Sequence, residues 1–224
     1  MPREAPILYR LAAAGGEAER GFEGALAALR AGLVVAVPTD TFYGLAVDPR
    51  EPAAVARLLH LKGHPPGRAV LLLAASPDQV RGMANCEGAA EIERLISLWP
   101  APLTLILPLR QGVVLSGCPA GTVAVRVPRA EAPRRVAADL GFPVTGTSAN
   151  PAGALPAVDA AEVRRYFGAG VAVLLDGGKT PGVAPSTLLD LSGPEPLLRR
   201  AGGVSRAAVE EALGRSIVVS AEET

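Results

Sequence analysis

The chain has 224 residues, 49% of them hydrophobic but only 4% aromatic, and its 22 basic side chains balance 22 acidic ones to leave no net charge. That composition buries a substantial core of Ala, Val and Leu, and it exerts no global pull on nucleic acid. No apolar run approaches the roughly 20 residues needed to span a bilayer. One domain covering 1–224 is expected, with a core over about 20–213 and no second C-terminal domain. The N-terminus lacks a basic-then-apolar leader pattern, and Cys86 and Cys118 form neither a spaced metal set nor a disulfide framework. The expected setting is the cytoplasm, with no membrane partner.

Ile7 to Leu11 reads as a first strand, and Glu17 to Arg30 carries Phe22, Ala25, Leu26 and Leu29 at helical spacing, closed by Gly32. Leu33 to Val37 is an unbroken apolar strand that Pro38 should stop. Thr39, Asp40, Thr41 and Tyr43 then emerge at its carboxyl end, the edge where open α/β sheets bind ligands. Leu45 to Val47 is a short strand. Pro52 opens a helix continuing through Leu61, which delivers Lys62 to Arg68 as a loop. Further strands are expected at 70–75, 103–107, 122–127, 143–145, 171–175, 186–191 and 197–199. Helices are expected at 77–83, 89–98, 132–140, 158–167 and 206–213. The alternation with short connections predicts an α/β (mixed) fold, a twisted open mixed sheet flanked by helices around a large concave site.

Lysine occurs only as Lys62 and Lys179, and asparagine only as Asn85 and Asn150. In a chain that otherwise writes Arg for its basic positions, Lys62 and Asn150 each ask for a specific reason. Gly178-Lys179-Thr180 has the ending of a phosphate-binding P-loop, but Val173 stands where that motif needs glycine, so it reads as a turn. His60 and His64 are the only histidines, which leaves no histidine metal cluster or Ser-His triad. What remains is a set of polar groups at strand ends and on loops: Thr39, Lys62, Thr122, Arg126, Ser148, Asn150, Ser186 and Arg200. Singly, each fits a structural role: a paired arginine, a helix cap, a strand-edge hydroxyl. Together they are cationic and hydroxyl-rich, suited to a phosphorylated ligand and catalysis by positioning and charge stabilisation.

Eight segments, in order from Val35 to Gly202, resemble the YrdC-like family of threonylcarbamoyl-AMP synthases. They are Pro38-Thr39-Asp40-Thr41-Phe42-Tyr43-Gly44-Leu45, Lys62-Gly63-His64-Pro65, Trp99-Pro100-Ala101-Pro102-Leu103-Thr104, Thr122 to Pro128, Thr147-Ser148-Ala149-Asn150, Asp176-Gly177-Gly178, Ser186-Thr187 and Arg200-Ala201-Gly202. The resemblance implies a YrdC-like domain that forms threonylcarbamoyl-AMP and pyrophosphate from L-threonine, bicarbonate and ATP, assisted by Mg²⁺. The implied partners are transferase proteins that pass the threonylcarbamoyl group to adenosine at tRNA position 37. It implies that Thr39, Arg126 and Ser186 hold threonine. It places Lys62, His64, Thr122, Ser148, Asn150 and Arg200 around the nucleotide, with Lys62, His64, Ser148 and Asn150 as the catalytic groups.

The sequence departs from the family pattern at several positions. The usual Lys-x-Arg reads Lys62-Gly63-His64, Ala101 replaces a glycine, Pro185 a glutamate, Leu73 a histidine and Ala201 a proline. Because histidine cannot reproduce a guanidinium fork, Arg68, four residues further along the loop, is expected to supply the missing charge at the nucleotide. Two other readings of these residues are a double-stranded RNA or tRNA-binding module, and a degenerate nucleotide-binding paralogue that binds ATP without releasing pyrophosphate.

Overall fold

The computed structural model describes residues 5–13, 15–86, 90–118 and 121–220. The chain opens with β1 (Ile7–Arg10), α1 (Glu17–Arg30), β2 (Val35–Pro38) and β3 (Tyr43–Ala46). α1 occupies its expected span because its buried residues, Gly21, Ala25, Ala28 and Leu29, recur on one face. β2 ends at Pro38 as expected, and Pro38 still pairs with Tyr43 across the tight β2–β3 connection. Tyr43 therefore belongs to the second strand and is fully buried rather than presented at the edge.

α2 (Pro52–Lys62) runs one residue further than the sequence suggests, because Gly63 supplies the left-handed cap at φ +70°. Lys62 thus sits in the last helical turn and is 2% exposed, a correction to its expected place on a loop. Then come β4 (Leu71–Leu73), α3 (Pro77–Met83), α4 (Ala90–Ile96), β5 (Leu103–Pro108), β6 (Thr122–Arg126) and α5 (Glu131–Leu140). The expected start of α4 at Ala89 lies outside the described residues. The chain closes with β7 (Val144–Thr145), β8 (Thr147–Ser148), α6 (Ala160–Phe167), β9 (Val173–Asp176), β10 (Thr187–Asp190), β11 (Leu197–Arg200), α7 (Arg206–Leu213) and β12 (Val218–Val219). Side-chain caps start three of these helices: Ser76 for α3, Asp159 for α6 and Ser205 for α7.

The strands form two mixed sheets rather than one open sheet, ordered β1-β9-β2-β3-β8 and β12-β11-β10-β5-β6-β4-β7. The chain passes between them at Gly146. Thr145 pairs with Leu72 in the larger sheet and Thr147 with Leu45 in the smaller. Gly146 is needed there, since a Cβ would lie 2.3 Å from Leu73 Cγ. The Thr145 hydroxyl joins the sheets as well, accepting from Val47 N at 2.9 Å and donating to the Leu45 carbonyl at 3.2 Å.

α1 packs on the smaller sheet and α5 bridges its β2 to β4 and β7 of the larger, over a cluster that includes Val35, Val37, Leu73, Val136, Val144 and Leu175. In the larger sheet β6 buries Val123 and Val125 on one face and turns Thr122, Ala124 and Arg126 to the other. Ile106 and Pro108 of β5 and Leu188 and Asp190 of β10 are likewise half-buried. That less buried face, met by the carboxyl end of β2, is the ground on which the polar residues gather.

Candidate active site

Arg126 is the last residue of β6 and only 3% exposed. Its Nη1 pairs with Asp40 Oδ1 at 2.7 Å. Nη2 donates to the hydroxyls of Thr39 at 3.4 Å and Thr41 at 3.3 Å. Burial pulls the guanidinium pKa below its ordinary value and Asp40 pushes it back up, so the group stays a cation. Asp40 is itself fixed by the Arg129 backbone N–H at 3.1 Å. The Thr39 hydroxyl donates to the Phe42 carbonyl at 2.7 Å and accepts from Thr41 N at 3.1 Å, so the turn is held by its own backbone. One donor is left over: Arg126 Nε is the one buried side-chain nitrogen or oxygen among the described residues without a hydrogen-bond partner.

A second cluster forms where α2 meets the 147–150 turn. Lys62 Nζ donates to the backbone carbonyl of Ser148, to that of Asn150 at 2.9 Å, and to Asn150 Oδ1 at 3.5 Å. Three donors thus meet three acceptors, none of them charged. Burial, with Arg68 adding to it, lowers the Lys62 pKa to about 8. Ser148 Oγ donates to Asn150 Oδ1 at 2.6 Å, and Asn150 Nδ2 donates to the carbonyls of Pro151 at 3.2 Å and Ala154 at 2.7 Å. Gly44 links this cluster to the first: it pairs with Ser148, and a Cβ there would stand 3.5 Å from Thr39 Cγ2.

The third cluster belongs to the larger sheet. Arg200 Nε and Nη2 clamp the Ser186 carbonyl at 3.1 and 3.0 Å, and Nη2 also reaches Ser186 Oγ at 3.3 Å. Ser186 Oγ and Thr104 Oγ1 are 2.8 Å apart. The segment after Arg200 braces the same turn: Gly203 N donates to the Pro185 carbonyl at 3.0 Å, and a Cβ on Gly202 would collide with the backbone of 185–187.

The structure therefore joins Thr39 with Arg126, Lys62 with Ser148 and Asn150, and Ser186 with Arg200. Thr122 shares the Arg126 face of β6 but starts the strand, about 13 Å away at the usual rise per residue. His64 and Arg68 follow α2. Arg68 is exposed, whereas His64 lines a groove of about 350 Å³ with His60, Leu59 and Pro66. Burial, then Arg68 and Lys62, lower the His64 pKa. The Gly178-Lys179-Thr180 segment forms a turn in which Asp176 Oδ1 accepts from Gly178 N at 2.9 Å. Asp40 and Thr41, expected only at the ligand-binding edge, orient Arg126, and Thr104 carries a contact that the sequence analysis does not assign. Their available signals were an acid set between two threonines and a lone hydroxyl in the apolar run from Leu103 to Leu107.

The two sheets and these clusters define an α/β protein with buried cations and hydroxyls in three local clusters, two on the larger sheet and one where α2 meets β8 of the smaller. The Sua5, YciO and YrdC family model, described as telomere recombination, matches residues 27–202. The chain is 38% identical over 173 residues to a threonylcarbamoyl-AMP synthase of Idiomarina loihiensis, covering 75% of this chain and 92% of that protein. It is 40% identical over 177 residues to one of Chromohalobacter salexigens, covering 78% and 95%. The structure of P. abyssi Sua5 complexed with L-threonine superposes with a TM-score of 0.84 at 31% identity, over 96% of this chain and 62% of that one. The chain belongs to the Sua5/YciO/YrdC family.

Proposed function

We propose that the chain is a threonylcarbamoyl-AMP synthase, a nucleotidyltransferase acting as a YrdC-like domain in the cytoplasm. The observation that carries this reading is Arg126 Nε, a buried donor with no partner in a guanidinium already oriented by Asp40, Thr39 and Thr41. A carboxylate is the ligand that such a fork takes best. The relatives' names and the threonine complex of P. abyssi Sua5 support threonine as its owner.

In this reading the threonine amine takes up the bicarbonate carbon with loss of water, and the resulting carbamate oxygen attacks the α-phosphorus of ATP. The bond to the β-phosphate breaks and pyrophosphate leaves. Nucleophile and electrophile are both anionic, so the chain's part is to hold them together and offset their repulsion. Lys62 suits that work because its ammonium is buried among neutral acceptors. Arg68 and Arg200 add charge, and Ser148, Asn150 and Thr122 offer hydrogen bonds to phosphate or ribose. Among the described residues no three His, Cys, Asp or Glu side chains form a metal cage. Mg²⁺ would accordingly be carried largely by the nucleotide phosphates, as is usual for that ion, and would temper their charge. The product would pass to transferase proteins acting on tRNA.

The test is mass spectrometry of products from ATP, bicarbonate and an amino-acid mixture, alongside pyrophosphate release. Threonylcarbamoyl-AMP, formed only with threonine and bicarbonate present, is expected. Pyrophosphate release indifferent to threonine overturns the reading, and ATP binding without release marks a degenerate paralogue.

A further inference from the structure

Thr104 is 1% exposed in the middle of the larger sheet, and Ser186, against it, is 4% exposed. Among the described residues the Thr104 hydroxyl has one partner, Ser186 Oγ at 2.8 Å. Ser186 Oγ has one more, Arg200 Nη2 at 3.3 Å, and arginine only donates. Two proton arrangements are open to the Ser186–Thr104 pair. If Ser186 donates to Thr104, the Thr104 proton is left buried with no acceptor, at the cost of an unsatisfied polar group. If Thr104 donates to Ser186, both lone pairs of Ser186 are filled, by Thr104 and by Arg200. The Ser186 proton is then the one left over, and it too lacks an acceptor until a ligand oxygen supplies one, which the deeper Thr104 hydroxyl could not meet.

We infer that Thr104 is a positioning residue that fixes the hydrogen-bonding direction of Ser186, so that Ser186 donates a proton to an oxygen of the bound ligand and rejects a donor there. The parity of the strands agrees with this. Thr104 shares the face of Ile106 and Pro108, and Ser186 that of Leu188 and Asp190, the less buried face that also carries Arg126. The inference rests on the proposal that this site holds an amino acid, and it adds the polarity that the subsite demands: an oxygen acceptor at Ser186. Thr104 acts only through Ser186, so it touches no reacting atom.

The experiment is calorimetric binding of L-threonine and of ATP to wild type, Thr104→Val, Thr104→Ser, Ser186→Ala and the Thr104→Val/Ser186→Ala double variant. Valine keeps the shape of threonine and removes the hydroxyl. Thr104→Val is expected to weaken threonine binding about threefold to tenfold, with ATP binding unchanged and the melting temperature lower by only a few degrees, the cost of one neutral hydrogen bond. Thr104→Ser restores it, and the double variant binds threonine no worse than Ser186→Ala alone. Equal or tighter threonine binding by Thr104→Val overturns the inference, because the opposite proton arrangement frees Ser186 when Thr104 loses its hydroxyl. Parallel losses of threonine and ATP binding, or no rescue by serine, also overturn it, since they mark packing. A wild type that does not bind threonine overturns the amino-acid reading itself, and that result is distinct from all of these.

Discussion

Lys62 and Asn150 are joined twice, through the Asn150 carbonyl at 2.9 Å and its side-chain Oδ1 at 3.5 Å, and Lys62 also holds the neighbouring Ser148 carbonyl. The sequence alone places Lys62 on a loop after α2. The structure makes it the pin between α2 and the 147–150 turn. Lys62→Ala leaves two carbonyls without their donor and should cost on the order of 2 kcal/mol, a fall of about 4–8 °C in melting temperature. Pyrophosphate release should fall by about 10² or more. Calorimetry and the release assay check the two effects separately. A variant with unchanged melting temperature removes the pin, and one with unchanged turnover removes the charge role.

The same lysine predicts a pH dependence. Burial and Arg68 hold its pKa near 8 in the free protein, and a bound triphosphate favours the charged form and raises it. Above about 8, binding must therefore take up a proton, and ATP affinity should fall as pH rises, by up to tenfold per unit. Below that pH the group is charged in both states and the dependence vanishes. Titration calorimetry between pH 7.5 and 9.5, with Lys62→Met as control, measures it. A flat profile in the wild type, or an equal slope in the variant, counts against Lys62 facing phosphate.

How much of this was legible in the sequence follows from the range of the interactions. α1 was readable residue by residue because a 3.6-residue apolar period and a closing glycine are local. The strand-end polar set was readable because Thr39, Arg126 and Ser186 break apolar runs. The two-sheet division was not, since Gly146 becomes a crossing point only when Thr145 finds Leu72 and Thr147 finds Leu45. Likewise Thr104 and Ser186 are 82 residues apart, and nothing in either segment announces their shared proton.

Arg126→Lys tests the carboxylate site. Lysine keeps the charge beside Asp40 but loses Nε and the planar fork. Threonine binding should weaken by tenfold or more, while ATP binding changes less than twofold. Arg126→Ala is a poorer probe, because it leaves the partly buried Asp40 carboxylate without its cation and should cost about 2–3 kcal/mol of stability. Isothermal titration of both substrates decides it. Equal losses for threonine and ATP would remove the threonine assignment from Arg126.

Gly146→Ala places a methyl where Leu73 already lies and should destabilise by about 1–3 kcal/mol. Leu73→Ala alone opens a cavity and should cost about 2–5 kcal/mol. In the double variant the new methyl enters the space that Leu73 vacates, so the combined cost should be smaller than the sum by 1 kcal/mol or more. Urea denaturation of the four proteins gives the cycle. Additive costs would mean that the sheet crossing tolerates a side chain without help from Leu73.

The Lys62-Gly63-His64 departure sets the last test. His64 N caps α2 by donating to the Leu59 carbonyl at 2.9 Å, and its ring lines the groove beside His60. Burial and the nearby Arg68 and Lys62 depress its pKa, so at pH 7.5 it is neutral in the free protein and offers a single N–H donor. Arg68 stands exposed on the same loop, carries a guanidinium, and adds to the lowering of the Lys62 and His64 pKa values. It is therefore the residue able to meet an approaching phosphate with a full charge. Pyrophosphate release at pH 7.5 should drop by about 10²-fold in Arg68→Ala and by less than tenfold in His64→Ala. His64→Arg should recover part of the Arg68→Ala loss when the two are combined, because it returns a guanidinium to the loop. The reverse ranking of the single variants would mean that His64 acquires its proton from the complex and carries the charge unaided. Arg68 would then be a solvated loop residue.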